Sequence, residues 1–274
     1  MSVETRPLRR DDVAWLADLH NAAFADYAVP AALDAGSLGS YVEETGVDPA
    51  LSRVAFVDGR PASFCLGAVR GHRASIRGEG TDPLHRRSGL GALVLEETLD
   101  ALRAAGATEV SLEVLDVNDP AIRLYKRHGF EQHRRLLGYS MHRPHRRGLR
   151  GRVFGHLEEV DTVHALARIR EWGWREPPWQ LELATLAHMP ALELDPHTVM
   201  LGKRRGDRFW LYGLAVDPEH RRQGLAGRAL SLLPTPYIGV PALVPEEWYE
   251  GRTLLRKLGA MTEQHWQWEM RRGL

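Results

Sequence analysis

The chain has 274 residues, of which 43% are hydrophobic and 26% are charged, and its formal net charge is zero. This length is enough for two domains of ordinary size, each with its own core. The neutral balance provides no overall field that would recruit nucleic acid or an acidic membrane. No apolar run approaches the roughly 20 residues that span a bilayer. We therefore expect a cytoplasmic protein without a membrane or nucleic-acid partner.

Cys65 is the single cysteine, which excludes an internal disulfide and fits a reducing compartment. It lies in an apolar run over residues 62–69, which predicts a core residue rather than an acyl-carrying nucleophile. The thirteen histidines form no HxxxH pattern, and there is no Cys/His cluster. The sequence therefore predicts no metal site.

Apolar periodicity predicts a regular succession of elements in the first half of the chain. A strand is followed by two helices, a meander of three strands, a helix, a strand, a further helix and a returning strand. The predicted ranges are 4–9, 13–19, 33–45, 53–57, 62–69, 74–81, 95–106, 110–115 and 118–128, with the last strand after Gly129.

Residues 144–152 are rich in Arg and Gly and lack apolar periodicity, so we place a linker there. The predicted domains are then residues 1–143 and 153–274. In the second domain a helix over 160–172 and strands over 192–200 and 208–216 are predicted.

One short motif occurs twice in the sequence. Residues 86–91 read Arg-Arg-Ser-Gly-Leu-Gly and residues 221–226 read Arg-Arg-Gln-Gly-Leu-Ala. Each follows a strand and an Asp-Pro turn, and each precedes an apolar helical run. Glycine before a helix lets several free backbone N–H groups and the helix dipole point at one anion. The chain is therefore predicted to carry two phosphate-binding loops, which we call the first and second cradle.

The pattern Arg-x-x-Gly-x-(Gly/Ala) resembles the acetyl-CoA loop of the GCN5-related N-acetyltransferase (GNAT) family. Downstream, Leu112-Glu113-Val114, Asn118, Leu124-Tyr125 and Gly129-Phe130 resemble the second diagnostic segment of that family. The resemblance covers residues 3–141 well and 160–270 more loosely. It implies an α/β (α+β) protein with two tandem GNAT-like domains, each a mixed, mostly antiparallel central sheet flanked by helices.

The resemblance also implies acetyl-CoA as cofactor, with its pyrophosphate on the first cradle and its pantetheine arm between two separating strands. The residues implied in cofactor binding are Thr81, Asp82, Arg86, Arg87, Ser88, Gly89, Leu90, Gly91 and Asn118. The corresponding residues of a possible second cofactor site are Val216, Arg221, Arg222, Gln223, Gly224, Leu225 and Ala226.

Tyr125 takes the family position of the general acid; the alternative is a tyrosine that only packs on a helix face. Glu79 is the candidate base on the strand before the cradle, although a bulge in that strand would change its direction. Glu113 and Asp26 are the reserve candidates for the base. Asp26 and Tyr27 occupy the region that shapes the acceptor pocket in the family, where a surface loop is the alternative.

The second copy keeps the cradle but places Leu255 where the first has Tyr125. Leucine cannot donate a proton, so we expect this copy to be catalytically silent. Pro234 and Pro241 suggest that its strands do not separate, which predicts weak or no CoA binding. The tandem layout is similar to that of the mycothiol synthases, but their second domain carries the activity, so their acceptor is not transferred here.

These features predict an enzyme that transfers acetyl from acetyl-CoA to a primary amine by direct attack in a ternary complex. The first domain would be active, and the acceptor would be a small molecule or a peptide. The alternative is a non-catalytic module that binds or senses CoA or acyl-CoA.

Overall fold

The structure is a computed structural model that describes residues 2–29, 31–144, 155–173 and 176–274. The chain divides into two compact units. Unit 1 comprises residues 1–133 and 268–274, and unit 2 comprises residues 134–267.

The helices and strands alternate along the chain in two similar series. The first series is β1 (Val3–Pro7), α1 (Val13–Ala23), α2 (Ala35–Thr45), β2 (Arg53–Val57), β3 (Arg60–Arg70), β4 (Arg73–Thr81), α3 (Leu90–Ala104), β5 (Glu109–Leu115), α4 (Asp119–Arg127) and β6 (Glu131–His142). The second is β7 (Glu158–Val160), α5 (Thr162–Glu171), α6 (Leu183–Leu186), β8 (Ala191–Asp195), β9 (Thr198–Arg205), β10 (Arg208–Val216), α7 (Leu225–Ser231), β11 (Tyr237–Pro245), α8 (Tyr249–Lys257), β12 (Met261–Thr262) and β13 (Gln267–Gly273). None of the helices in the described part of the chain is long and apolar enough to cross a membrane.

The sheet of unit 1 has the strand order β1-β2-β3-β4-β5-β13. Strands β1 to β4 are antiparallel neighbours, whereas β4 and β5 run parallel. Helix α3 buries Leu95, Leu99 and Leu102 against this sheet, as their i, i+4, i+7 spacing predicts. Cys65 is free and fully buried in the same core, which confirms its prediction as a core residue.

The sheet of unit 2 has the order β6-β11-β10-β9-β8-β7, with β12 paired to β6. It repeats the plan of unit 1, because β8, β9 and β10 are antiparallel and β10 runs parallel to β11. Each unit is thus a mixed, mostly antiparallel sheet with helices, which confirms the predicted fold class.

The unit boundaries differ from the predicted ones because a strand of each sequence half belongs to the other unit. From Arg134 onward β6 lies in unit 2, where it pairs with β11 from Leu136 to His142. Residues 268–274 lie in unit 1, where Met270 is fully buried in the core. Strands that pair across such a long sequence distance carry no signal in their neighbouring residues that would predict the pairing. Most of the predicted linker, residues 145–152, lies outside the described residues.

One predicted strand, over residues 192–200, is wrong. The structure has two strands there, β8 and β9, which form an antiparallel hairpin with its turn at Pro196 and His197. Proline lacks the N–H group that a continuing strand would use, so the chain turns at this point.

We expect β13, which lies at the end of the sequence but belongs to unit 1 from residue 268, to contribute strongly to the stability of that unit. Replacing Met270, which is fully buried, with alanine should lower the free energy of unfolding by about 2–4 kcal/mol, since it opens a cavity in a packed core. The control is Met261→Ala, because the Met261 side chain is 71% exposed. Calorimetry should show a clear fall in Tm for the first variant only. Equal, small effects would contradict the assignment of β13 to this core.

Candidate active site

The first cradle is built by a turn that its own sequence specifies. The Asp82 side chain accepts a hydrogen bond from the Leu84 backbone N–H at 2.8 Å and caps a short turn of 3-10 helix over Pro83–His85. The chain then enters left-handed backbone twice, at Arg87 (φ 63°) and at Gly89 (φ 91°), before α3 begins at Leu90. Glycine adopts this conformation without the strain that a side chain adds.

The cradle presents free hydrogen-bond donors. In the part of the chain that the structure describes, no backbone N–H group from Arg87 to Ala92 has a partner. These groups surround the N-terminus of α3, where the helix dipole favours an anion. A Cβ atom on Gly91 would lie 2.9 Å from Glu79 Oε1, so a side chain there would displace the Glu79 carboxylate.

The cradle opens into a cavity of about 670 Å³ in unit 1. Most of the residues that the sequence predicted for the site line this cavity together. They are Asp26, Tyr27, Glu79, Thr81, Arg86, Arg87, Gly89, Leu90, Gly91 and Asn118.

Asp82 and Ser88 shape the cradle without lining the cavity. The Asp82 carboxylate is engaged in the turn, and its backbone N–H donates to the Ala62 carbonyl at 2.8 Å. The Ser88 hydroxyl donates to the His85 carbonyl at 2.5 Å. These contacts hold the loop in the conformation that exposes its N–H groups.

Beside the cradle, strands β4 and β5 separate. Their parallel pairing runs only from Arg73 with Glu109 to Ile76 with Leu112. The next residue of β4, Arg77, forms a bulge against β3. Its two neighbours, Ile76 and Gly78, pair with the adjacent residues Gly67 and Leu66, so Arg77 has no residue opposite it. A bulge that could change the direction of Glu79 is thus present, and beyond it the Glu79 side chain lines the cavity.

Glu79 lines this cavity, whereas Tyr125 is buried, does not line it and contacts Glu79. The Tyr125 hydroxyl donates a hydrogen bond to Glu79 Oε2 at 3.3 Å. Burial raises the pKa of Glu79 to about 7, although the hydrogen bond from Tyr125 opposes this shift. Burial and the neighbouring carboxylate also raise the pKa of Tyr125 well above its usual value. At neutral pH the tyrosine therefore keeps its proton while Glu79 exchanges its own.

The two reserve candidates for the base, Glu113 and Asp26, are each paired with an arginine. Glu113 forms a buried ion pair with Arg77, with 2.5 Å between Glu113 Oε2 and Arg77 Nη1. Asp26 is held by both terminal nitrogens of Arg86, at 2.6 and 2.8 Å. This hydrogen bond lowers the pKa of Asp26 to about 2. Both carboxylates are thus paired with arginines, and Glu79 remains our first candidate for the base.

The Arg86–Asp26 pair also links two parts of the site that the sequence treated separately. Arg86 was predicted to bind cofactor and Asp26 to shape the acceptor pocket. In the structure Arg86 additionally donates to the Ala23 carbonyl at 2.9 Å, and so ties the end of α1 to the cradle.

Tyr27 and Asn118 face each other on another wall of the cavity. The Asn118 side chain caps α4 by accepting a hydrogen bond from the Ala121 N–H at 3.3 Å. It also lies beside the Tyr27 hydroxyl, whose pKa is raised by burial. Asn118 therefore acts as a helix cap and lines the cavity at once.

The second cradle has the backbone conformation of the first. Arg222 has φ 63° and Gly224 has φ 84°, and in the described residues the N–H groups from Arg222 to Gly227 have no partner. Pairing of β10 with β11 ends at Trp210 and Gly239. The strands thus separate here too, and the expectation of a closed gap is wrong, because Pro241 lies beyond the segment of β11 that pairs with β10. Its position falls in an irregularity of the pairing with β6, between Val240 and Val244.

The chemistry of the second copy is nevertheless different. Leu214 and Leu255 stand at the places of Glu79 and Tyr125, on β10 and α8. Arg221 donates to the Val216 carbonyl at 3.1 Å and to the Trp172 carbonyl at 2.9 Å. The Arg221 side chain therefore occupies the carbonyl oxygen of Val216 at the end of β10.

Histidines gather at the turn before the second cradle. His197 and His220 both lie 3.0 Å from one oxygen of Asp217. The sequence predicted no metal site, and in this cluster one donor atom from each of the three side chains lies within 4.8 Å of the others.

Comparison with known proteins agrees with this architecture. The acetyltransferase (GNAT) family model matches residues 15–130. A mycothiol acetyltransferase from Clavibacter michiganensis subsp. michiganensis is 39% identical over 117 residues, which cover 42% of this chain and 38% of the relative. The ribosomal protein bS18-alanine N-acetyltransferase of Salmonella typhimurium is 36% identical over 75 residues, 27% of this chain and 51% of the relative. The chain thus covers about two fifths to one half of these relatives.

A solved structure extends the similarity of fold to the whole chain. A tandem GNAT protein from the clavulanic acid biosynthesis pathway aligns with a TM-score of 0.72 at 15% identity, covering 99% of this chain and 98% of that one. Residues 15–130 thus match the acetyltransferase (GNAT) family model, and the alignment over 99% of the chain shows a shared fold.

Proposed function

We propose that this protein is an N-acetyltransferase that transfers acetyl from acetyl-CoA to a primary amine in a ternary complex. Unit 1 is its catalytic part. The observation that carries the proposal is the contact of Tyr125 with Glu79, a residue that lines the cavity into which the first cradle opens. A proton donor and a base with a pKa of about 7 thus lie together at the separating strands.

The residues present fit acetyl-CoA. The unpartnered N–H groups from Arg87 to Ala92 are suited to a pyrophosphate, and the opening between β4 and β5 leaves strand edges for an extended arm. When bound, acetyl-CoA supplies the activated acetyl group. Thr81, Arg87, Gly91 and Asn118 would hold and orient it.

Glu79 and Tyr125 divide the proton transfers between them. An amine must be neutral to attack, and Glu79 accepts its proton, directly or through water, on a carboxylate that burial has made more basic. Tyr125 keeps a proton on its hydroxyl at neutral pH. The same hydroxyl supplies the proton that a leaving thiolate needs.

We propose an amine on a small molecule or a peptide as the acceptor. The names of the relatives support this range, since one concerns mycothiol and the other an alanine of a ribosomal protein. The Arg86–Asp26 pair and Tyr27 form the cavity wall on the side of α1, where the acceptor would enter. We place the activity in the cytoplasm, which the single free, buried cysteine suits.

The decisive test is thiol release from acetyl-CoA in the presence of a panel of amines. An acetyltransferase releases CoA with at least one acceptor and yields the acetylated amine, which mass spectrometry identifies. The alternative, a CoA-binding or sensing module, predicts binding without release. The retained Tyr125–Glu79 contact argues against that alternative.

The two cradles allow a matched test of cofactor placement. Gly89→Val should raise the Kd for CoA at least about tenfold, because a branched residue strains left-handed backbone and redirects the N–H groups. The control is Gly224→Val, the same change in the same conformation of the second cradle, which should leave the Kd of the first cradle unchanged. Calorimetry with CoA should separate them. Unchanged affinity in Gly89→Val would contradict the assignment of the first cradle.

A further inference from the structure

The turn that leads into the second cradle carries three side chains whose donor atoms converge. His197 lies in the hairpin turn between β8 and β9, Asp217 follows β10, and His220 ends the short turn of 3-10 helix over Pro218–His220. Nδ1 of His197 and Nδ1 of His220 are each 3.0 Å from Asp217 Oδ2. One donor atom from each residue lies within 4.8 Å of the other two.

We propose that these three residues form a binding site for a divalent transition-metal ion of the zinc class. Two imidazoles and one carboxylate are a ligand set that such ions prefer. An ion with bonds of about 2.0–2.2 Å to nitrogen and oxygen needs its ligand atoms roughly 3.0–3.5 Å apart. The two nitrogen-to-oxygen distances of 3.0 Å already meet this spacing.

Neighbouring groups orient the carboxylate and the two imidazoles of this cluster. The other oxygen of Asp217 accepts a hydrogen bond from the Glu219 N–H at 3.0 Å, which orients the carboxylate. The imidazoles are stacked with 3.5 Å between ring centroids. Binding of the ion requires these rings to rotate until each Nδ1 lone pair points at it, and the two side chains are 38% and 34% exposed. Three protein ligands leave at least one position for water or an anion.

Comparison with the first cradle shows that the third ligand is specific to unit 2. Asp82 and His85 occupy the places of Asp217 and His220, with 3.7 Å between His85 Nδ1 and Asp82 Oδ1. The Asp217 N–H donates to the carbonyl of His197, and the Asp82 N–H donates to that of Ala62. Ala62 therefore stands where unit 2 has His197. The first cradle offers two ligands and the second offers three.

An ion at this site would fix the start of the second cradle. It would join the β8–β9 turn and the end of β10 to the residue directly before Arg221. The silent copy would then carry a structural or anion-binding metal, which does not depend on the catalytic role proposed for unit 1.

The test is titration of the untagged, metal-free full-length protein with zinc chloride by calorimetry. We expect one equivalent to bind, and Tm to rise by about 5 °C or more at a hundredfold excess over Kd. His197→Ala and His220→Gln should each weaken binding at least tenfold. Magnesium chloride should give no comparable effect, because Mg²⁺ prefers oxygen ligands.

The control variant is His164→Ala, which removes an exposed histidine 3.2 Å from Asp161 in α5. It should bind zinc like the unaltered protein. Absence of zinc binding in the unaltered protein would overturn the proposal. So would binding that His197→Ala and His220→Gln leave unchanged, since the ion would then lie elsewhere.

Discussion

Replacing Tyr125 with phenylalanine should lower kcat roughly 10²–10⁴-fold, the usual contribution of a general acid, while the affinity for CoA stays nearly constant. The variant loses one hydroxyl from a side chain that is 6% exposed and keeps the ring that packs edge-on against Phe130. The core is thus preserved and the proton donor is removed. Where water replaces the hydroxyl, the loss falls at the low end of this range.

The same variant should also shift the pH dependence of the reaction. Tyr125 donates its hydrogen bond to the Glu79 carboxylate and so lowers the pKa of that group. Without this donor the pKa of Glu79 rises, and the ascending part of the rate profile should move to higher pH.

The measurement is steady-state turnover with saturating acceptor, under conditions in which chemistry limits the rate. The control is Tyr249→Phe, an exposed tyrosine at the start of α8, the helix of unit 2 that corresponds to α4. It should keep full activity. Full turnover in Tyr125→Phe would assign the proton donor to another group.

The parts of the site that local sequence builds were predictable. The Asp82-Pro83 turn, the glycine at position 89 and the start of α3 all follow from neighbouring residues. The preferences of residues for turns and helix starts act over a few positions, so a single sequence is enough to predict them. The duplicated motif could be predicted for the same reason, because each copy is a short continuous segment. Both copies have the same backbone conformation.

Pairings across the fold were not predictable. Arg86 and Asp26 are 60 positions apart and were assigned to different ligands, and β13 joins the core of unit 1 from the far end of the sequence. Nothing near either residue or strand indicates its partner. The expectation of a closed gap between β10 and β11 was wrong for a similar reason, because the pairing of these strands ends before Pro241.

One missed feature did have a local signal. Pro196 interrupts the predicted strand over residues 192–200 and indicates a turn there rather than one strand. Recognising the hairpin places His197 at the level of Asp217, because β9 and β10 pair from Thr198 with Val216. The histidine cluster then follows from the register of two adjacent strands.

Replacing Glu79 with glutamine should remove the pH dependence that the carboxylate imposes. Burial raises the pKa of Glu79 to about 7, and a base acts only when ionised. The value of kcat/KM should therefore rise about tenfold per pH unit below pH 7 and level off above it. In Glu79→Gln this part of the profile should flatten, and turnover above pH 7 should fall roughly 10²–10⁴-fold.

Both enzymes must be compared with the same acceptor, because the amine itself loses a proton as pH rises and contributes to the slope. The control is Glu131→Gln, an exposed carboxylate at the start of β6. Its profile should match that of the unaltered protein. An identical profile for Glu79→Gln would leave Glu79 as a carboxylate that only shapes the cavity.

Stability provides a second readout for Glu79→Gln, which separates lost chemistry from lost folding. The carboxyl group binds its proton more tightly in the folded protein than in the unfolded chain, where its pKa is 4.5. Ionising Glu79 therefore costs folding free energy as pH rises from 4.5 towards 7, by about 1.4 kcal/mol per unit. Glutamine carries no charge and avoids this cost. At pH 8 the variant should unfold at the same or a higher temperature than the unaltered protein while turning over far more slowly. A variant that is less stable as well as inactive would show that the carboxylate supports the fold rather than the reaction.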